Sequence, residues 1–317
     1  MTPDVLNLSK LAKYFSDEDA ARALLEEMRW GKDGAVCPHC GGADPYKLTP
    51  KPGSKTRKGL YKCRACRKQF TVTVGTVFED SHIPLSKWLL ALHLLVSSKK
   101  GISAHQLHRN LGISYKGAWF MAHRLRYAMA QGPLESLMTG TVEIDETYVG
   151  GKRQERKGGK QGRPAALSHK TPVVALVERG SGRVRAFPMA RVTADNLGKA
   201  IEANVAQNAT MMTDELNAYK SVAEMADRKH VTVNHSKEEY VRGTAHTNTV
   251  EGFFSLLKRG INGTFHHVSR GHLSRYCDEF AFRYEHRKTT DGQRAGLLVQ
   301  GAEGKRLTYK QPAGLSA

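Results

Sequence analysis

The second half of the chain alternates short apolar runs with segments in which apolar residues recur every three or four positions. Short runs rich in β-branched residues predict strands, and the three-to-four spacing predicts helices. The pattern predicts strands near 141–148, 172–179, 183–190, 210–214 and 230–234, and helices near 194–206, 246–260 and 270–287. Strands interleaved with helices in this way indicate an α/β domain.

The first half of the chain is predicted to contain several helices. Residues 16–19, Ser-Asp-Glu-Asp, have the sequence of a capping box at the start of a helix. Pro84 begins a second predicted helix, which runs through Ser97. Ser103 and Ser114 suit the N-cap positions of two more helices.

The last two of these helices are joined through Leu111-Gly-Ile-Ser114. This arrangement resembles a helix-turn-helix, whose second helix enters the major groove of DNA. The alternative is a plain helical connector. If the motif reads DNA, the candidates for contact on the second helix are Tyr115, Lys116, Trp119 and Arg124.

The predicted helix near 246–260 has two distinct faces. At about 100° per residue, Asn248, Glu251, Ser255 and Lys258 fall within an arc of roughly 80°. Val250, Phe253, Phe254, Leu257 and Ile261 fall on the other side. Most such patterns belong to an amphipathic helix with a merely solvated polar face. The helix alone therefore leaves both interpretations open.

Two aspartates follow apolar runs that predict buried strands. Asp145 lies in Thr141-Val-Glu-Ile-Asp, and Asp214 ends Thr210-Met-Met-Thr-Asp. An acid at the end of a strand in an α/β sheet can point into the crevice where ligands bind. For Asp214, an N-cap on the following helix is an equal alternative. The neighbouring acids Glu143, Glu146 and Glu215 compete for the same role.

Carboxylates on separate elements are what metal-dependent phosphoryl transfer requires. Two Mg²⁺ ions about 3.5 to 4 Å apart activate the nucleophile and neutralise the leaving oxygen in nucleases and polymerases. Mg²⁺ binds hard oxygen ligands and keeps several waters, so a few carboxylates suffice. Lys258, on the face that carries Glu251, would be placed to pair with a DNA phosphate.

Two Cys-x-x-Cys pairs lie near the start of the chain. Cys37 and Cys40 are separated from Cys63 and Cys66 by 22 residues, 41 to 62. This spacing predicts a structural Zn²⁺ site with four thiolates in a zinc ribbon. Disulfides or a redox pair are the alternatives, and no secretory signal precedes the first pair. His39 is expected to be exposed, not coordinating, and the isolated Cys277 to be a buried core thiol.

Basic residues dominate the chain, which carries a net charge of +19. Around the cysteine pairs they are Lys47, Lys51, Lys55, Arg57, Lys58, Lys62, Arg64, Arg67 and Lys68. A charged face is often only solvated, but an excess of this size favours binding to nucleic acid. No apolar stretch approaches the length of a membrane-spanning helix, so no membrane partner is expected. A second basic segment, 152–164, is Gly-rich and is interpreted as a loop that DNA could order or as a disordered insertion.

From Val142 to about Arg287 the chain resembles the catalytic domain of insertion-sequence DDE transposases, in the branch with an N-terminal zinc ribbon. The matching motifs are Glu-Ile-Asp145-Glu-Thr-Tyr-Val-Gly-Gly-Lys, Thr213-Asp214-Glu-Leu-Asn-Ala-Tyr, His246-Thr-Asn-Thr-Val-Glu251-Gly-Phe-Phe-Ser-Leu-Leu-Lys258-Arg-Gly, Gly263-Thr-Phe-His-His-Val-Ser and Asp278-Glu-Phe-Ala-Phe-Arg-Tyr284. The resemblance implies an α/β fold of the RNase H-like type, in which helices flank a mixed sheet.

What the resemblance implies for chemistry can be stated residue by residue. The acid triad carries over to Asp145, Asp214 and Glu251, which would hold two Mg²⁺ or Mn²⁺ ions. The basic residue seven positions after the glutamate carries over to Lys258, since 251 + 7 = 258. Asn248 would be an accessory residue. The expected partners are double-stranded DNA, both terminal inverted repeats and target, and further copies of the chain on that DNA.

The resulting plan has five parts. They are an N-terminal helical segment at 1–32, a zinc ribbon at 33–76, a helix-turn-helix-like domain at 77–135, the catalytic domain at 138–290 and a peripheral tail at 291–317. We expect a transposase that cleaves and joins DNA strands. The alternatives are a DNA-binding regulator with a decayed core and a hydrolytic nuclease of the same fold. Few cysteines outside the two pairs and no targeting peptide indicate a cytoplasmic, nucleoid-associated prokaryotic protein.

Overall fold

A computed structural model describes residues 12–309 except 13, 15, 52, 54–55, 133–135, 151–169, 234–240, 242 and 244–245. The described residues form two compact units. One is drawn from Met1–Ala130 together with Lys288–Leu315, and the other mainly from Gln131–Arg287. The predicted basic loop at 152–164 lies outside the described residues. In the described ranges, no helix is both long enough and apolar enough to span a bilayer.

The first unit begins with a helix and a small antiparallel sheet. Helix α1 (Glu18–Trp30) is followed by strands β1 (Pro45–Lys47), β2 (Tyr61–Cys63) and β3 (Gln69–Phe70), in the order β1-β2-β3. The predicted cap at Ser16 is wrong by one residue. Asp17 is the N-cap of α1, and its carboxylate accepts from the backbone N–H groups of Asp19 and Ala20. The hydroxyl of Ser16 instead donates to the carbonyl of Ala12.

Three helices follow in the same unit: α2 (Leu85–Ser97), α3 (Ala104–Leu111) and α4 (Tyr115–Met129). The two predicted caps are confirmed, because the Ser103 hydroxyl accepts from Gln106 and the Ser114 hydroxyl accepts from Gly117. Gly112 ends α3 in the left-handed conformation with φ 58°, which favours glycine. The sequence signals at both helix ends were therefore sufficient to place α3 and the start of α4.

The prediction of a peripheral tail after residue 290 is wrong. Residues Asp291–Gln300 form helix α9, which begins with a capping box between Thr290 and Gln293. Its buried residues Ala295, Leu298 and Val299 pack in the first unit against α1, α2 and α4. Three apolar residues over little more than one turn are too few to stand out as a periodic pattern, so only the packing shows that this helix is structural.

The second unit is built on a five-stranded mixed sheet. Its strands are β4 (Thr141–Val149), β5 (Thr171–Glu178), β6 (Val184–Pro188), β7 (Thr210–Thr213) and β8 (His230–Thr232), in the order β6-β5-β4-β7-β8. The pairs β4/β5 and β5/β6 are antiparallel, whereas β4/β7 and β7/β8 are parallel. The α/β fold of the RNase H-like type, with its mixed sheet, is thereby confirmed.

Helices pack on both faces of this sheet. They are α5 (Ala194–Glu202), α6 (Asn217–Met225), α7 (Asn248–Gly260) and α8 (Leu273–Glu285), with a π-helical turn at Ile261–Phe265 after α7. One core joins Val142 and Ile144 of β4 to α5 and α6. The other core joins Val149 of β4 to α7 and α8. Side chains that alternate along β4 therefore face two different layers.

Helices α7 and α8 approach each other closely at a glycine. A Cβ atom at Gly260 would lie 1.9 Å from Cζ of Phe280, well inside van der Waals contact. Phe280 is completely buried, so its ring has no room to move aside. Gly260 therefore permits the helix contact, and any side chain there would separate the two helices.

We predict opposite effects of alanine at the two glycines of α7. Gly260→Ala should lower the free energy of unfolding by about 1–3 kcal/mol, the usual cost of overpacking a core. At Gly252 the nearest neighbour of an added Cβ is the Tyr284 hydroxyl at 4.0 Å. Gly252→Ala should therefore raise stability by about 0.5–1 kcal/mol, because alanine loses less backbone entropy on folding. Urea unfolding followed by circular dichroism measures both, and equal destabilisation would contradict the packing argument.

Candidate metal centres

The two aspartates lie on neighbouring parallel strands. The register of β4 and β7 pairs Glu143 with Met212. Two residues further along both strands, on the same face, come Asp145 and Asp214, the latter just past the end of β7. Adjacent strands are about 4.8 Å apart. The sheet therefore brings the two predicted acids side by side.

Helix α7 presents the third acid. Its apolar residues Val250, Phe253, Phe254, Leu257 and the following Ile261 are buried in the core beneath it. Asn248, Glu251, Ser255 and Lys258 are all exposed. The predicted division of this helix into a core face and a polar face is confirmed. Because α7 packs on β4, its polar face belongs to the same side of the sheet as Asp145.

The acids influence one another electrostatically. Burial raises the pKa of Asp145 to about 7, and the charges of Glu146, Asp214 and Glu251 add to the rise. Such mutual effects require the carboxylates to be near one another. A half-buried group of like charges is unfavourable without a cation, and carboxylate oxygens are the ligands that Mg²⁺ prefers. The three acids are therefore of a suitable ligand type, whereas among the described residues only the four cysteines bring their ligand atoms within 4.8 Å of one another.

Each of the three carboxylates is oriented by a hydrogen bond. Asp145 Oδ1 accepts from the backbone N–H of Glu146 at 2.7 Å, and Asp214 Oδ1 from that of Leu216 at 3.1 Å. Glu251 Oε1 accepts from the Thr247 hydroxyl at 2.8 Å. The N-cap of α6 is Leu216. The alternative in which Asp214 caps that helix does not hold.

The three competing acids have other surroundings. Glu143 is completely buried and accepts hydrogen bonds from the start of α7. Glu146 accepts from the Tyr219 hydroxyl of α6 at 2.7 Å, and burial raises the pKa of Glu146. Glu215 is exposed. Tyr219 was not identified from the sequence as a partner of Glu146. A tyrosine on the buried face of a short helix is a weak signal for such a role.

The four cysteines of the first unit come together as predicted. Their sulfur atoms lie within 4.8 Å of one another. The Sγ atoms of Cys37 and Cys66 are 3.7 Å apart, and those of Cys40 and Cys63 are 3.6 Å apart. Zinc–sulfur bonds of about 2.3 Å at tetrahedral angles place sulfurs about 3.8 Å apart. The cluster therefore fits a structural Zn²⁺ ion, and the exposed His39 is outside it.

The two cysteine pairs have the same backbone turn. The carbonyl of Cys37 accepts from Gly41 N at 2.9 Å, and that of Cys63 accepts from Arg67 N at 3.1 Å. Gly41 and Arg67 both have positive φ, 73° and 61°. The four thiols are close enough to affect one another: the pKa of Cys63 falls to about 7, chiefly through the backbone N–H of Cys66, and that of Cys40 rises to about 11 through hydrogen bonds with the other three cysteines.

The predicted DNA-contact residues of α4 are not equally accessible. Tyr115 is exposed and stacks on His105, with ring centroids 4.2 Å apart. Lys116 is exposed, and its ammonium lies 4.5 Å from the ring centre of Tyr309. Trp119 is half-buried. These three residues are therefore at least partly accessible at the start of α4.

Arg124 does not suit a direct contact with DNA. Its side chain is only 6% exposed, and its Nε donates to the carbonyl of Leu307 at 3.2 Å. Burial lowers the pKa of its guanidinium. The prediction missed this because the partner, Leu307, is 183 residues away in the sequence. Arg124 instead ties the end of the chain to α4.

We predict that the cysteine cluster retains zinc. The purified protein should contain about one zinc ion per chain, and Cys63→Ser should lose it, because a serine hydroxyl is a poor substitute for a thiolate. Cys277→Ala is the matched control, since Cys277 is buried in α8 and lies outside the cluster. Elemental analysis measures the content. Wild-type protein without zinc would overturn the assignment.

Comparison with known proteins agrees with both units. Residues 137–285 match the ISXO2-like transposase domain family, and residues 16–69 match the transposase zinc-ribbon domain family. The chain is also 32% identical over 282 residues to a protein of Halobacterium salinarum described as an uncharacterized protein in transposable element ISH50. That match covers 86% of this chain and 92% of the relative. The chain therefore belongs to the family of ISXO2-like transposases with an N-terminal zinc ribbon.

Proposed function

We propose that this transposase cleaves and joins DNA strands through the acids Asp145, Asp214 and Glu251, which would hold two Mg²⁺ or Mn²⁺ ions. The observation that supports the proposal most strongly is the parallel register of β4 and β7, which brings Asp145 and Asp214 to equivalent positions on neighbouring strands. Burial raises the pKa of Asp145 to about 7, and the charges of Glu146, Asp214 and Glu251 add smaller contributions. A structural role alone would not favour such repulsion.

The proposed ions would activate the attacking oxygen and neutralise the leaving oxygen of the phosphodiester. The protein residues have the other tasks. Asp145 and Asp214 would hold their carboxylates on adjacent strands, and Glu251, whose charge contributes to the raised pKa of Asp145, would complete the set from α7. Lys258 lies two turns beyond Glu251 on the exposed face and would pair with a DNA phosphate. Asn248, exposed at the first turn, would add a polar contact as an accessory residue.

We further propose that the first unit binds the terminal inverted repeats of the mobile element. The net charge of +19 supports attraction to DNA, and the exposed Tyr115 and Lys116 and the half-buried Trp119 would contact it. A transposase that joins element ends to target DNA must hold two ends, which implies a homo-oligomer on the DNA. In the cell the protein would then act at the nucleoid.

We predict that Asp145→Ala separates cleavage from binding. On a DNA fragment that carries an element end, cleavage should fall by at least roughly a hundredfold, since a lost ligand removes several kcal/mol of charge stabilisation. Binding of the same fragment should persist. Asp195→Ala is the control, because Asp195 is an exposed acid that, among the described residues, forms an ion pair with Lys199 of α5. Gel analysis resolves cut and joined products. Cut products without joined ones would favour the nuclease, and unchanged cleavage would refute the acid assignment.

We predict different losses for two basic residues of α4. Lys116→Ala should weaken DNA binding and lower the slope of log affinity against log salt by about 0.9, the value for one phosphate contact. Arg124→Ala should leave that slope unchanged but lower the unfolding temperature, because it removes a buried guanidinium and leaves the Leu307 carbonyl unpaired. Salt titrations by fluorescence anisotropy, with thermal unfolding in parallel, check both. A changed slope for Arg124→Ala would contradict its structural role.

A further inference from the structure

A buried carboxylate connects the central strand to the helix that carries Glu251. Glu143 of β4 is 0% exposed. Its Oε2 accepts from the backbone N–H groups of Thr249 at 2.8 Å and Val250 at 3.0 Å. Its Oε1 accepts from the Thr249 hydroxyl at 2.7 Å. Three donors from the first turn of α7 therefore converge on one side chain of the sheet.

Arg179 forms an ion pair with the Glu143 carboxylate. Its Nε donates to Glu143 Oε1, and its Nη2 donates to the carbonyl of His246 at 2.7 Å. The guanidinium and the three further donors together satisfy the hydrogen-bonding capacity of the buried carboxylate. Arg179 also fixes the chain just before α7. The start of the helix is thus held from both sides.

The N-cap residue of α7 has a different task. Thr247 would ordinarily cap the helix by accepting from an N–H group of the first turn. Within the described structure it makes no such side-chain cap. Its hydroxyl donates to Glu251 Oε1 instead, at 2.8 Å. Glu143 accepts from the N–H groups that an N-cap side chain would otherwise take, and the Thr247 hydroxyl donates to Glu251.

We infer that Glu143 is a positioning residue for the acid site. It sets the start of α7 against β4 and leaves Thr247 to hold the Glu251 carboxylate towards Asp145. The inference rests on the proposed function, in which Glu251 is a metal ligand. Glu143 and Asp145 are two residues apart on the same face of β4, and Val250 directly precedes Glu251. The contact between Glu143 and the start of α7 therefore determines how far Glu251 lies from Asp145.

We expect Glu143→Gln to weaken metal binding, an effect that loss of a buried acid elsewhere in the protein would not have. Glu143→Gln keeps the shape of the side chain but removes its negative charge and one of its two acceptor oxygens. Thr247 then competes to cap α7, and Glu251 loses its orientation. The Mn²⁺ concentration that half-saturates the protein should rise roughly 10- to 100-fold, the usual effect of removing a residue that orients a ligand. The free Mn²⁺ signal in electron paramagnetic resonance measures it, on zinc-loaded full-length protein without DNA.

Glu178→Gln is the matched control. Glu178 of β5 is 5% exposed and pairs with Arg183, as Glu143 pairs with Arg179. It accepts from the backbone of Thr139 rather than from α7. Glu178→Gln should therefore lower the thermal unfolding midpoint while half-saturation by Mn²⁺ stays within about twofold of wild type. An equal loss of Mn²⁺ binding in both variants would reduce Glu143 to a general stabilising role and overturn the inference.

Thr247 supplies a second test that does not depend on whether Glu143→Gln folds. Thr247→Val removes only the hydroxyl and should weaken Mn²⁺ binding roughly tenfold. Thr247→Ser restores the hydroxyl and should bind within about twofold of wild type. If Thr247→Val and Thr247→Ser bind Mn²⁺ equally well, the hydroxyl does not orient a ligand, and the inference is wrong.

Glu251→Gln separates failure of this inference from failure of the proposed function. If Glu251→Gln weakens Mn²⁺ binding but Glu143→Gln and Thr247→Val do not, the ligand assignment stands and the positioning role is refuted. If Glu251→Gln itself binds Mn²⁺ as wild type does, Glu251 is not a ligand. That result refutes the proposed metal site and the positioning role together.

Discussion

The start of helix α7 imposes the constraint on which the second unit depends. The first turn of any helix has backbone N–H groups without partners inside the helix, and burying them unpaired is costly. Here α7 starts against the sheet, where water cannot form a hydrogen bond with every N–H group. Glu143 accepts from two of these N–H groups, which ties α7 to the central strand β4. That attachment and the burial of the apolar face of α7 in the core together fix the helix on the sheet.

The first unit solves the same problem in the same way. Pro84, the N-cap of α2, has no side chain that can cap a helix. Glu18 of α1 accepts from the backbone N–H groups of Leu85 at 2.7 Å and Ser86 at 3.1 Å. A carboxylate from a distant element suits such a position, because the helix dipole favours negative charge there. Glu18 and Glu143 thus meet the backbone donors of a helix start, whereas Asp145 lies near other carboxylates.

Much of the fold was predictable because its signals are local. The two faces of α7, the caps at Ser103 and Ser114 and the cysteine pairs each depend on residues within a few positions, and each is confirmed. The errors have the opposite character. Arg124 is buried by a carbonyl 183 residues away, and the helix after Thr290 is ordered by helices far earlier in the chain. No local pattern carries that information, because packing partners are chosen only when the chain folds.

The sequence by itself determined which residue types were available: an acid-rich strand, an amphipathic helix with Glu251 on its polar face, and four cysteines spaced for zinc. It could not rank Glu143 above or below Asp145, since the two alternate onto the same face of one strand. Only the tertiary structure distinguishes their surroundings. Glu143 lies where α7 begins and finds donors, whereas Asp145 lies beside Asp214 and finds like charges. The two residues differ because each lies, along β4, next to different residues that are distant in sequence. Those neighbours set the electrostatic environment of each carboxylate.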